Sequence, residues 1–465
     1  MKIKIQNLGV LKQAEFTLAD LTIICGGNNT GKTYATYALF GFLCTWERIL
    51  SIDIDDKIQQ LFAEGVISID IQEYIEQIQE IVAKGCQEYT KQLPKIFAAD
   101  RERFKETKFD VIVDINDIND ISLNTKFERK INFPGRELFS ITKNYDSTEL
   151  VVTLLVEKAK AEILTNIFND FIANALKEII FYQLFPRPFI ASSERTGAAI
   201  FRKELNFARN CLLEEMSQAD DNIDLEKFLF EGYQNYPLPV KENVKFTLKL
   251  EKISKQHSFL YNEHPEVLND FADIIGGEYT VTPNDELYYT PKQGKRPPKL
   301  SMLESSSAVR SLLDIGFYLK HEAQPGDLLM VDEPELNLHP ENQRRVARLF
   351  ARLINLGIKV FITTHSDYII KELNTLIMLN HDKPHLKRIA EEEGYQTEEL
   401  ISAEKIKVYI AEEKSIQLEG NKRKIKGKTL TLANIDPEMG IEARSFDTTI
   451  EEMNRIQEAI AWGED

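Results

Sequence analysis

The chain has 465 residues, 43% of them hydrophobic, enough for one large domain with insertions or for two to three domains. Its formal net charge of −17 argues against non-specific nucleic-acid binding through the whole surface, and no run of about 18 apolar residues is present to span a membrane. The four cysteines, Cys25, Cys44, Cys86 and Cys211, are scattered without a C-x-x-C, which fits a reduced, cytoplasmic compartment and supports neither a disulfide framework nor a zinc site.

Residues 1–5 alternate charged and apolar side chains, as a strand does and a signal peptide does not. Residues 2–7, 14–17 and 21–25 read as three strands. The third, short and apolar, feeds Gly26-Gly27-Asn28-Asn29-Thr30-Gly31-Lys32-Thr33. This is G-x-x-x-x-G-K-T, the phosphate-binding P-loop. Its glycines let successive backbone N–H groups face one concavity. Lys32 reaches the β- and γ-phosphates, and the Thr33 hydroxyl can ligate Mg²⁺. Residues 34–42 read as a helix whose N-terminus faces the phosphates. An ordinary Gly-rich turn is the alternative, and the strand–loop–helix context disfavours it.

Residues 32–106 read as mainly helical, with apolar spacings of three and four over 54–61 and 69–82. A helical arm inserted after the first helix accounts for them. Runs at 109–115, 122–127, 129–142 and 149–156, separated by Asn, Asp and Pro-Gly turns, predict antiparallel sheet. Residues 159–184 read as one helix, and 187–192 as a strand ending in Ser192-Ser193-Glu194-Arg195-Thr196-Gly197. An acidic helix over 206–233 and a second over 265–275 follow, then two short strands at 278–282 and 286–289. Two basic stretches, 292–299 and 422–428, read as solvated loop or hairpin ahead of nucleic-acid contact.

The second half of the site starts at residue 303. Ser305, Ser306 and Ser307 open a predicted helix over 308–320. Hydroxyls and free N–H groups there make an anion site, with a plain Ser N-cap as the alternative. Residues 327–331 are an apolar strand ending in Asp332-Glu333. In P-loop ATPases the strand beside the P-loop strand ends this way, with Asp332 holding Mg²⁺ through water and Glu333 acting as general base. The alternative is a buried strand running into a charged turn. A helix over 341–356 and a strand over 358–363 lead to Thr364-His365-Ser366, where His365 can contact a γ-phosphate.

About 300 residues separate the P-loop from the acids. The Ser-rich helix start precedes the acids, and the histidine follows one helix and one strand later. This order, with VDEPELNLHPENQ, FITTHSDYI and LESSSAVRSL, resembles the ABC ATPase head of the SMC, RecF and OLD-like AAA type. The resemblance covers roughly residues 1–50 and 185–380. It implies an α/β P-loop NTPase of the ABC ATPase head type, with a mixed central sheet, an antiparallel β subdomain and an inserted helical arm. The expected parts are 1–46 and 185–380 for the head, 47–106 for the helical insertion, 107–184 for antiparallel β and helix, and 381–465 for a C-terminal α/β segment.

The resemblance further implies that Gly26 to Thr33 and Ser305 to Ser307 bind ATP, and that Thr33 and Asp332 hold Mg²⁺. Lys32, Glu333 and His365 carry the hydrolysis, and Asn337 to His339 face a dimer partner. L-S-G-G-Q itself is absent, so the serine that meets the γ-phosphate stays open. The Q-loop position also stays open, between Gln183 and the Ser193-Glu194-Arg195-Thr196 turn. Such heads close in pairs around ATP, as a dimer or higher homo-oligomer. The ATPases of the PARIS and Septu antiphage systems, which this head resembles, work with a separately encoded effector, often a nuclease. Residues beyond His365 hold no D-x-D cluster or H-N-H pattern, so a toxic activity is expected from a partner. A RecF- or SMC-like DNA maintenance ATPase and a slowly hydrolysing nucleotide-gated scaffold are the alternatives. A transporter motor fits least.

Overall fold

The computed structural model describes residues 1–114, 124–133, 136–156, 165–202, 204–205, 236–292, 297–417, 424–442 and 444–462. The strands in chain order run β1 (Lys2–Leu8), β2 (Leu11–Thr17), β3 (Leu21–Cys25), β4 (Val66–Asp70), β5 (Lys108–Ile112), β6 (Phe127–Phe133), β7 (Arg136–Lys143), β8 (Glu149–Leu154), β9 (Pro188–Ala191), β10 (Gly277–Val281), β11 (Leu287–Pro291), β12 (Leu300–Ser301), β13 (Leu328–Asp332), β14 (Lys359–Thr364), β15 (Ile406–Gln417), β16 (Lys424–Leu432), β17 (Ile435–Asp436) and β18 (Gly440–Ile441). The chain divides into two units. One holds Met1–Lys4, Phe42–Gln92 and Lys108–Pro186; the other holds Ile5–Gly41, Leu93–Thr107 and Arg187–Asp465.

In the first unit an antiparallel sheet runs in the order β4-β8-β7-β6. Its buried face is apolar: Ile67 pairs with Val152 and Ile69 with Leu150. Phe139 stacks on Phe168 of the helix Thr165–Phe181 at 4.4 Å between centroids. The antiparallel reading of the sequence holds for β6, β7 and β8, but the run at 109–115 gives β5, which is not a strand of this sheet. The mainly helical reading of 32–106 needs one correction, because Val66–Asp70 is a strand. Ile67 and Ile69 are buried between exposed neighbours, a period of two that belongs to a half-buried strand. The helix Asp55–Glu64 lies where amphipathic spacing put it, whereas the spacing over 69–82 falls on the end of this strand, the short helix Gln72–Glu76 and the first turn of the helix Ile78–Ile96.

In the second unit the sheet order is β1-β2-β16-β15-β3-β14-β13-β9. Strands β3 and β13 are buried at every residue and β14 at all but its first, as parallel strands covered on both faces are. β15, β3, β14, β13 and β9 run parallel to one another, while β15 pairs antiparallel with β16. The sheet is therefore mixed, as expected, and the fold is α/β of the P-loop, ABC ATPase type.

The order corrects one sequence expectation. The strand ending in Asp332 is not beside the P-loop strand, since β14 lies between them. The helix expected over 308–320 is also two pieces, Ser307–Ser311 and Leu313–His321, parted at Leu312 with φ −101° and ψ 1°. β15 and β16, placed by the sequence in a C-terminal segment, pair directly with the P-loop strand and with β2 respectively.

The acidic helix expected over 206–233 lies wholly outside the described residues, as do Cys211, 293–296 of one basic stretch and 422–423 of the other. No helix among the described residues is long and apolar enough to cross a membrane.

Candidate nucleotide-binding and hydrolytic site

Because β3, β14, β13 and β9 are parallel, their C-terminal ends open on one edge of the sheet, where α/β proteins place their ligands. β3 delivers the P-loop there. Gly26 sits at φ 137° and Gly31 at φ 102°, in the region that disfavours a side chain. A Cβ on Gly26 would come within 2.5 Å of the Ala411 carbonyl oxygen on β15, so glycine is required. The helix Lys32–Ile49 starts inside the motif. Thr30 Oγ1 donates to the Gly27 carbonyl at 2.8 Å and closes the loop tip. Gly27, Asn28, Asn29 and Thr33 are exposed.

Lys32 is only 6% exposed. Its Nζ donates to the carbonyls of Gly26 at 3.0 Å and Gly27 at 2.9 Å. Burial pulls its pKa down, while Glu333, Asp332 and Glu335 pull it up. The same Nζ is 2.9 Å from His365 Nε2, and that nitrogen is also 3.4 Å from Glu333 Oε1. One ring nitrogen cannot accept from the ammonium and donate to the carboxylate at once. The two contacts are therefore alternatives, set by the tautomer of the ring and by where the Lys32 ammonium sits. Protonating the ring, or moving Lys32 onto a phosphate, frees Nε2 to donate to Glu333 or to a phosphate oxygen. His365, and behind it Lys32 and Arg195, hold the Glu333 carboxyl below its ordinary value. Glu333 is thus ionised at neutral pH, the state a general base requires. It also sits at φ 52°, a left-handed conformation that costs energy in a non-glycine residue and recurs at functional sites.

Asp332 is buried at the end of β13. Its Oδ1 accepts from Thr363 Oγ1 on β14, whereas Oδ2 has no hydrogen-bond partner. Burial pushes its pKa up to about 6, against the Thr363 hydrogen bond. An orphaned buried carboxylate oxygen is costly unless a cation or donor meets it. Asp332 therefore fits a divalent cation that Thr33 would help to hold. Among the described residues no group of three or more His, Cys, Asp or Glu side chains could hold a metal ion alone, which suits a cation completed by phosphate and water.

The family model of the AAA ATPase domain matches residues 1–370. The chain belongs to that family. Membership brings nucleotide binding with it, and the chain presents P-loop, Asp332-Glu333 and His365 on one sheet edge accordingly. Among curated proteins none matches this chain. Solved structures similar to it include the Smc head bound to the C-winged helix domain of ScpA, 12% identical with a TM-score of 0.31, covering 92% of this chain and 97% of that one. A Pyrococcus furiosus Smc head with an extended coiled coil, bound to the C-terminal domain of ScpA, is 13% identical with a TM-score of 0.31, covering 98% of each chain. The SMC head domain from Thermotoga maritima is 12% identical with a TM-score of 0.30, covering 93% and 98%. Likenesses this low carry no argument here. The assignment rests on the family match, the strand order and the site.

The structure puts His365 in contact with both Lys32 and Glu333. It does not join the serines to them. Ser305 Oγ donates to the Met302 carbonyl at 2.8 Å, and Ser306 caps its helix by accepting from the Val309 N–H at 3.3 Å. Ser306 and Ser307 are exposed. Among the described residues no hydrogen bond links Ser305, Ser306 or Ser307 to the P-loop. One link from this helix to the loop that follows the acids does exist: Ser311 Oγ donates to the Leu336 carbonyl at 3.1 Å.

Two residues with central contacts carried no assigned role in the sequence. Glu335 accepts from the His365 backbone N–H at 2.6 Å and from Thr364 Oγ1 at 3.0 Å, which fixes the histidine turn. It was visible only as the third acid of Asp-Glu-Pro-Glu. Arg195 is 1% exposed. Its guanidinium donates to the carbonyls of Ser311 at 2.7 Å, Ser192 at 2.9 Å, Asp332 at 2.7 Å and Glu333 at 2.8 Å. It thereby ties the β9 turn, the Ser-rich helix and the two acids together. Beside it Tyr37, from the P-loop helix, donates to Glu194 Oε2 at 3.2 Å. Of the two Q-loop candidates, the Glu194 turn is the one with these contacts. Gln183 is exposed and belongs to the first unit.

Proposed function

We propose that the protein binds and hydrolyses ATP, closing as a dimer around it, and serves as the sensor or regulatory subunit of a bacterial antiphage system with a separate effector. One observation carries the enzymatic part: Glu333, held ionised, lies beside His365, which is in contact with the P-loop lysine. With ATP in the P-loop, Lys32 leaves the Gly26 and Gly27 carbonyls for the β- and γ-phosphates. Glu333 accepts the proton of the attacking water as its oxygen bonds to the γ-phosphorus and the bond to the β–γ bridging oxygen breaks. His365 Nε2, released by Lys32, steadies the γ-phosphate. Thr33 and Asp332 hold Mg²⁺, which neutralises charge on the phosphates when bound.

Pairing is supported by the serines. Their contacts stay within their own turn, and two of them face solvent, where a second copy's ATP would reach them. The regulatory role is supported by the second unit, in which residues beyond 380 extend the ATPase sheet itself. Toxic chemistry would then come from a partner protein. A RecF- or SMC-like DNA maintenance ATPase is the competing reading, and DNA-stimulated turnover would favour it.

Light scattering on Glu333→Gln tests the pairing. With ATP and Mg²⁺ its mass should double, while Lys32→Ala, which loses nucleotide, should stay monomeric. A Glu333→Gln protein that binds ATP and stays monomeric would overturn the dimer.

A further inference from the structure

A second lysine stands at the P-loop. Lys428 lies on β16, nearly the whole chain away in sequence, and its Nζ donates to the Asn29 carbonyl at 2.5 Å. Three contacts make the β15–β16 hairpin and β2 a wall of this loop. A Cβ on Gly26 would meet the Ala411 carbonyl of β15, and one on Gly31 would meet Leu11 of β2. Leu11 is the register partner of Lys428 itself.

Lys428 makes no ion pair of its own among the described residues, though it acts through space on the Glu413 carboxylate. Glu413 faces it across the hairpin, but that carboxylate is engaged by Lys426 at 2.8 Å. Among the described residues the only hydrogen bond of the Lys428 ammonium is to the neutral Asn29 carbonyl. Lys32 likewise rests on loop carbonyls, those of Gly26 and Gly27, with His365 beside it. Two cations thus stand on the carbonyls of a loop whose N–H groups gather phosphate. A charge-assisted bond to a phosphate oxygen is roughly twice as strong as one between neutral groups, so exchanging a carbonyl for phosphate is favourable for both.

We propose that Lys428 is a second phosphate-binding lysine of this site, contributed by the C-terminal hairpin to the polyphosphate of the bound nucleotide. The proposal rests on the nucleotide reading above. It assigns Lys428 to the phosphates, so the residue favours ATP and ADP and is indifferent to the nucleoside alone.

The test is calorimetric titration of the full chain with ATP, ADP and adenosine. Lys428→Met should weaken ATP about tenfold and leave adenosine unchanged, and Lys428→Arg should stay within about threefold of wild type. The loss should shrink as salt is raised. Lys428→Gln separates binding from propping, because its amide can still donate to the Asn29 carbonyl without carrying charge. It should lose ATP affinity as Lys428→Met does. Wild-type affinity in Lys428→Gln would reduce the lysine to a prop for Asn29 and overturn the proposal. Wild-type affinity in Lys428→Met, with Lys32→Met binding nothing, would overturn it while leaving the nucleotide reading intact. A wild-type chain that binds no ATP would sink both.

Discussion

The two units bury different chemistry. In the first, the described interior is aliphatic and aromatic, and Lys143 is the one charged side chain buried in it. Lys143 is satisfied by the carbonyls of Thr125 at 2.7 Å and Asn144 at 3.1 Å. The second unit buries Lys32, Arg195, Asp314 and Asp332 close to the P-loop and the acids, among other charges. Burying charge is expensive, and stability alone does not require it. The contrast teaches that the first unit is built to hold its shape, whereas the second accepts a cost for chemistry.

Arg195 offers the strongest way to break that comparison. Removing it in Arg195→Ala takes a donor from four carbonyls, of which Ser192 and Glu333 keep a backbone N–H at 3.2 Å, and opens a cavity, an expected loss of about 4 kcal/mol. Both unfolding stability, from denaturant titration, and ATP turnover should fall, because the same guanidinium holds Asp332 and Glu333. In the first unit Phe139→Ala, which empties the stack on Phe168, should cost about 3 kcal/mol. ATP affinity of the folded fraction should not change. Loss of ATP affinity in Phe139→Ala would show that the units do not divide the work.

Asp314 gives a smaller and signed effect. It is buried, its Oδ1 accepts from Thr247 Oγ1 at 3.1 Å, and its Oδ2 has no partner. Burial pushes its pKa up to about 7. The unfolded chain gives up this proton near the ordinary carboxyl value, at a lower pH than the folded chain does. Folding therefore takes up a proton between the two values, and stability falls as pH rises through that window. Asp314→Asn should raise the unfolding midpoint by a few degrees above pH 7 or so, and by less well below it. A gain that is the same at both ends would mean that the group does not ionise as its surroundings dictate.

Legibility in the sequence followed the range of the interactions. The P-loop, Asp332-Glu333 and His365 were readable because each is a short run whose residue types the chemistry dictates. The helix Pro265–Ile275, closed by the left-handed Gly276, was readable from local spacing and its stop signal. Four features were not. β4 was hidden by an overlapping helical period. The insertion of β14 between β3 and β13 depends on pairing partners far apart in the chain. The hairpin that brings Lys428 to Asn29 had been read as a solvated basic stretch, since nothing local reveals that β15 pairs with β3. Arg195 stood in a turn that was noted, but its four carbonyl partners come from three separate segments.

The central claim is that Glu333 is the base of an ATP-hydrolysing site assembled on Lys32 and His365. The most direct measurement is steady-state ATP turnover of Glu333→Gln against wild type, with nucleotide binding measured on the same samples. The expected result is a fall in turnover of at least about 100-fold with ATP still bound. Turnover at the wild-type rate in Glu333→Gln would contradict the account.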